Sequence, residues 1–96
     1  MRPSLALDLH RDAIRKAAES YGLSNPRVVG STARGEDREG SDLDLLVDVN
    51  ERTSLFDLGG LLEELKALLG VPVDVLTPEE LPLSIRARVL RDAQPL

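Results

Sequence analysis

The chain has 96 residues, enough for one domain with a modest core, expected to span residues 1–96. The net charge is −5 and aromatic residues make up 2%; the absence of cysteine excludes disulfides, thiolate nucleophiles and zinc–thiolate sites. The same balance argues against tight nucleic-acid binding, which calls on cationic surface and stacking rings.

In chain order, Leu5, Leu9, Ile14, Ala17, Ala18 and Tyr21 recur at helical spacing, and Gly22 supplies a stop. Asn25-Pro26 marks a turn, and Arg27 to Val29 reads as a short strand ending at Gly30. A short helix is expected over Ser31 to Glu36, followed by a polar loop to Gly40. Ser41 to Val49 is the clearest strand. Leu43, Leu45, Val47 and Val49 form one apolar face, while Asp42, Asp44 and Asp48 lie on the other with Leu46 among them. That alternation predicts one face in a core and one toward a cleft. Ser54 to Leu69 reads as a helix with Leu58, Leu61, Leu62, Leu65, Leu68 and Leu69 inward, weakened by Gly59-Gly60. Val71 to Leu76 is a third strand, Thr77-Pro78 resembles a helix start, and a last helix covers Ser84 to Ala93. The order predicts an α/β fold: a small mixed sheet of three main strands flanked by helices. No apolar run is long enough to span a membrane and the first residues carry no signal-peptide core, so a cytoplasmic protein is expected.

Two features point to chemistry. A helix opening at Gly30-Ser31 aims backbone N–H groups at whatever precedes it, and glycine lets an anion approach closely. Arg34, one turn on, adds a positive charge suited to a phosphate. Asp42 and Asp44, two apart on a strand, point to one side, where they repel one another unless a cation lies between them. Mg²⁺ suits that hard-oxygen pair and shares ligands readily with phosphate. Asp74 sits between apolar neighbours on another strand, where an unpaired buried carboxylate is costly. Beside the first pair it completes a cluster able to hold two ions about 3.5–4 Å apart.

Gly30-Ser31, ten residues, then Asp42-Leu43-Asp44 resembles the GSX10DXD signature of the DNA polymerase beta-like nucleotidyltransferases. The run GSTARGEDREGSDLDLLVDV, with VPVDVLTPEEL downstream, is similar to the smallest branch, the minimal nucleotidyltransferase domains that include MntA-type antitoxins. The resemblance implies that Asp42 and Asp44 bind Mg²⁺ and that Asp74 ligates metal or deprotonates the attacking hydroxyl. It implies that Gly30 and Ser31 cradle the triphosphate of ATP, with Arg34 nearby. It further implies a partner: a HEPN-domain ribonuclease toxin, bound as a hetero-oligomer and adenylylated on tyrosine. Two alternatives stand beside it, an antitoxin that acts by occlusion alone and transfer to a small molecule, which usually needs a further helical domain.

The remaining polar residues read more plainly. Asp48 is expected in solvent, His10 on the surface of the first helix, and Tyr21 at a helix end or partly in the core. Glu63 and Glu64, like Arg86, Arg88 and Arg91, read as solvated helix faces, the arginines with a second option as phosphate or partner contacts. Leu83, Ile85, Val89 and Leu90 pack on the sheet or face a partner; periodicity does not separate the two.

Overall fold

The computed structural model describes residues 1–96. Its elements are α1 (Pro3–Ser20), β1 (Ser24–Val29), α2 (Gly30–Ala33), β2 (Leu43–Asp48), α3 (Leu55–Leu69), β3 (Val73–Leu76), α4 (Leu83–Asp92) and β4 (Gln94–Pro95), with a 3₁₀ turn at Pro78–Glu80. The four strands form one sheet in the order β3-β2-β1-β4. β1 is antiparallel to both its neighbours and β2 is parallel to β3, so the expected mixed sheet is present. β4 is an addition. Two residues with no apolar alternation leave no strand signal, yet they pair with Arg27 and Val28 at the sheet edge.

The alternation in β2 does what the pattern predicts. Leu43, Leu45 and Val47 are fully buried in the main core with Ile14, Ala18, Leu61 and Leu65 from α1 and α3. Val49 lies beyond the strand and is exposed. The opposite face is not wholly a cleft. Leu46 is also fully buried there, in a small second cluster with Val29 and Leu81, against which Val89 and Ala93 pack. α4 therefore covers part of the face that carries the aspartates.

Three further apolar positions differ from expectation. On α1 the buried stripe is Pro3, Ala6, Leu7, Ile14, Ala17 and Ala18, whereas Leu5 and Leu9 are exposed. Leu5 lies two residues from Leu7, about 200° around the helix, and so on its far side. The helix also bends at His10, whose backbone leaves helical values (φ −129°, ψ 20°); that residue is half-buried rather than on an open surface. On α3, Leu61, Leu65 and Leu69 are buried at i, i+4 and i+8, and Leu68 falls outside that stripe. Ser54 caps α3 through a reciprocal pair of hydrogen bonds with Asp57, and Gly70 ends it in the left-handed conformation.

The Gly59-Gly60 pair has two separate explanations. A Cβ on Gly60 would lie 2.5 Å from Cε1 of Tyr21, whose ring packs against the main core from the C-terminal end of α1. Gly60 is thus the seat of the Tyr21 ring. Nothing lies within 4 Å of a Cβ on Gly59. Gly59→Ala is therefore expected to stabilise the protein by about 0.5–1 kcal/mol through helix propensity. Gly60→Ala is expected to destabilise it, and to become stabilising in a Tyr21→Ala background. Urea denaturation of the four variants checks the reversal of sign.

Candidate active site

The site forms where the C-terminal end of β1 meets the N-terminal ends of β2 and β3. Register brings its parts together. Asp44 pairs with Val29 across the antiparallel ladder and with Asp74 across the parallel one. Residues at the same register on adjacent strands share a face, so both carboxylates stand on the α4 side of the sheet. Asp42 lies just before β2 and is exposed, as is Asp74. Asp44 is half-buried between them. Burial pushes its carboxyl above the ordinary carboxylate range, and the charges of Asp74 and Asp42 push it further the same way.

Asp74 departs from expectation in one respect: it is exposed, so no burial penalty explains its presence in an apolar strand. Asp44 feels the charge of both neighbours, but the three side chains do not close into a three-ligand cage. Their chemistry nevertheless suits a hard divalent cation. All the donors are carboxylate oxygens, and the mutual repulsion that raises Asp44 is the kind a cation relieves.

Gly30 links the turn to the carboxylates. Its φ is +74°, a conformation that side chains disfavour, and a Cβ there would lie 2.6 Å from Oδ2 of Asp44. Backbone and carboxylate are in contact because nothing intervenes. The helix after the turn is shorter than expected, a single turn over Gly30–Ala33, so little dipole accumulates along it. Val29 holds the cap position and no side chain, Ser31 included, caps the helix. Arg34 is exposed and directs Nε to Oε1 of Glu36 at 3.1 Å.

Three charged residues outside the expected set hold this geometry. Asp37, within the loop between the two halves of the signature, is buried against the start of α1, where Oδ2 accepts a hydrogen bond from the Ser4 backbone at 2.8 Å. Burial alone raises the Asp37 carboxyl, but the hydrogen bonds from Ser4 and the Arg2 charge outweigh it, and the net shift is downward. The carboxylate thus occupies the anion-favouring end of an 18-residue helix, from a position distant in sequence. Asp48 is a correction to the reading of a solvated carboxylate. Its Oδ1 pairs with Nη1 of the buried Arg27 at 2.9 Å, and its Oδ2 accepts from Asn25 at 3.2 Å. Burial raises Asp48 too, and these bonds and the Arg27 charge reverse the shift to a net lowering. An arginine in a short strand next to valines was the available signal for that pair.

With this geometry in place, comparison with known proteins is specific. The nucleotidyltransferase domain family matches residues 11–96. Protein adenylyltransferase MntA of Thermococcus cleftensis is 41% identical over 86 residues, covering 90% of this chain and 84% of the relative. A solved structure provisionally described as a minimal nucleotidyltransferase is 43% identical, with a TM-score of 0.86 over 97% of this chain and 95% of that one. The chain also shares its fold, at a TM-score of 0.73 and 19% identity, with a chain from a crystal structure of a toxin–antitoxin with AMP-PNP, covering 88% of this chain and 69% of that one.

The like-charge cluster yields a stability prediction. The folded state raises the pKa of Asp44, so folding disfavours its ionised form: the protein loses stability as pH rises through the folded-state value. Asp44→Asn, without metal, is expected to raise the Tm at pH 7, with the gain shrinking to nothing below about pH 4, where the unfolded carboxyl is also protonated. Mg²⁺ is expected to raise the Tm of the wild type more than that of the variant. Thermal melts across pH, with EDTA or Mg²⁺, test both statements.

Proposed function

The chain belongs to the nucleotidyltransferase domain family, and we propose that its residues 1–96 act as a Mg²⁺-dependent protein adenylyltransferase. In this reading it transfers AMP from ATP to a tyrosine hydroxyl of a HEPN-type ribonuclease toxin, as a cytoplasmic antitoxin. The observation that carries the reading is the register that sets Asp44 beside Asp74, with Gly30 against the Asp44 carboxylate. The adenylyltransferase names of the archaeal relatives support the reaction type.

Asp42, Asp44 and Asp74 are the residues that would hold magnesium. When bound, it would neutralise charge on the phosphates and lower the barrier to attack, with two ions as the fuller arrangement. The chain supplies the rest. Gly30 and Ser31 receive the triphosphate, since the turn presents backbone without a side chain in the way. The acceptor oxygen attacks the α-phosphorus, the bond to the β-phosphate oxygen breaks, and pyrophosphate leaves. A tyrosine hydroxyl, with a pKa near about 10, must lose its proton in that step. Asp74 is the proposed acceptor of that proton. Its exposure lets a hydroxyl on another protein reach it. Positioning and charge neutralisation account for the remaining catalysis.

One observation favours a second reading, silencing by occlusion alone. Leu55, Phe56 and Leu83 are 85%, 91% and 81% exposed, apolar surface that a partner protein can cover without chemistry.

One comparison separates the two. The wild type and an Asp42→Ala/Asp44→Ala variant are incubated with α-labelled ATP, Mg²⁺ and the product of the neighbouring gene, which this reading expects to be a HEPN-type protein. Label is expected on a partner tyrosine, falling by at least about a hundredfold in the variant. Undiminished labelling by the variant ends the assignment of these carboxylates. Silencing of the partner by a wild type that transfers no label favours occlusion.

A further inference from the structure

The three arginines of α4 do different things. Arg86 is structural: Nη2 donates to the backbone carbonyls of Glu79 at 3.1 Å and Leu81 at 2.8 Å, tying the helix to the 3₁₀ turn. Arg91 lies in the last turn, where a cation suits the helix C-terminus. Arg88 has neither role. It is exposed, and it lines an open cavity of about 380 Å³ with Arg34 and Asp92.

The position of that cavity matters. Val29, Asp44 and Leu46 share one face of the sheet, and α4 lies on that face, with Val89 packed against the cluster of Val29, Leu46 and Leu81. Arg88 is the residue before Val89. Arg34 closes α2, which begins at the Gly30 turn touching Asp44. Arg34, at the end of α2, and Arg88, on α4, thus bring guanidinium groups from two elements to one cavity, which they share with a single carboxylate, Asp92. A polyphosphate in a chain of net charge −5 needs local cations, and forked guanidinium donors match phosphate oxygens.

We propose that Arg34 and Arg88 form a two-sided clamp for the β- and γ-phosphates of the nucleoside triphosphate, which makes α4 part of the nucleotide site. The clamp rests on the proposed nucleotidyltransferase reading and gives it selectivity for triphosphate over monophosphate. Arg34 keeps its contact to Glu36 through Nε, which leaves both terminal nitrogens to face an anion.

The test is binding of ATP and of AMP, each with Mg²⁺, to the wild type and to Arg88→Ala, Arg88→Lys, Arg34→Ala and Arg91→Ala, by calorimetry. Arg91→Ala removes an equal charge from the same helix outside the cavity. Arg88→Ala and Arg34→Ala are expected to weaken ATP about tenfold and leave AMP unchanged. Arg88→Lys recovers part of the loss, and Arg91→Ala stays within about twofold of the wild type, as an exposed charge should. Equal ATP affinities for Arg88→Ala and Arg91→Ala overturn the clamp alone, as does a loss at Arg88→Ala that is the same for AMP. A wild type that binds no ATP overturns the clamp and the parent reading together.

Discussion

Parallel pairing of β2 with β3 sets Asp44 beside Asp74, and carboxylates at neighbouring sheet positions repel. What holds them there is on the other side of the sheet. Leu43, Leu45 and Val73 alternate with the aspartates and are buried in the main core. A one-residue slip of β3 would turn Asp74 into that core and Val73 out of it. The backbone of Leu43 also donates to the Pro72 carbonyl at 2.8 Å, which fixes the start of the pairing. Burial on one face thus enforces a charged juxtaposition on the other.

The rest of the site is fastened to that register by single points. Gly30 brings the β1–α2 turn into contact with Asp44, and its positive φ aims the chain there. Asp37 fastens the loop between the two halves of the signature to the start of α1, so a helix on the far side of the core helps position the approach to β2. The ion pair of Arg27 with Asp48 joins β1 to β2 from the same face as Asp44, at the other end of the strands. These residues touch no proposed substrate. They determine where the residues that do will stand.

Much of this was legible in the sequence, for identifiable reasons. The alternation in Ser41 to Val49 is strong because one face of β2 is dry, and it located both the core and the two aspartates. The order of helices and strands followed from Gly22, Gly70 and the caps. Asp74 was legible as a position but not as an environment, because its exposure depends on how far α4 reaches over the sheet. Asp37, and the pairing of Arg27 with Asp48, were not legible. Each joins residues at least 21 apart, and a charged residue in a loop or on a strand looks solvated until its partner is placed. Leu5 and Leu9 misled because leucine spacing suggested one stripe, while a smaller set of residues, Ala6, Ala17 and Ala18 among them, allowed α1 to sit close to the sheet.

The pattern of local cost bears on whether the site is used. A chain that silenced a partner by covering it would need apolar surface and nothing more, and Leu55, Phe56 and Leu83 supply that. It would not need three mutually repelling carboxylates, a glycine at φ +74° against one of them, or an arginine pair of which one member makes no ion pair. Each of these costs stability or contributes none, and packing on the far face fixes where the carboxylates stand without requiring that they be charged. The carboxylates and the glycine lie at one end of one sheet face, the face that α4 partly covers. Departures from local stability that converge in this way are what a functional site is expected to show, and they are the physical support for the proposed reaction over occlusion alone. The two readings are therefore compatible: exposed apolar surface suited to a partner and the carboxylate face occupy different parts of the molecule, so docking would leave the proposed chemistry free to act.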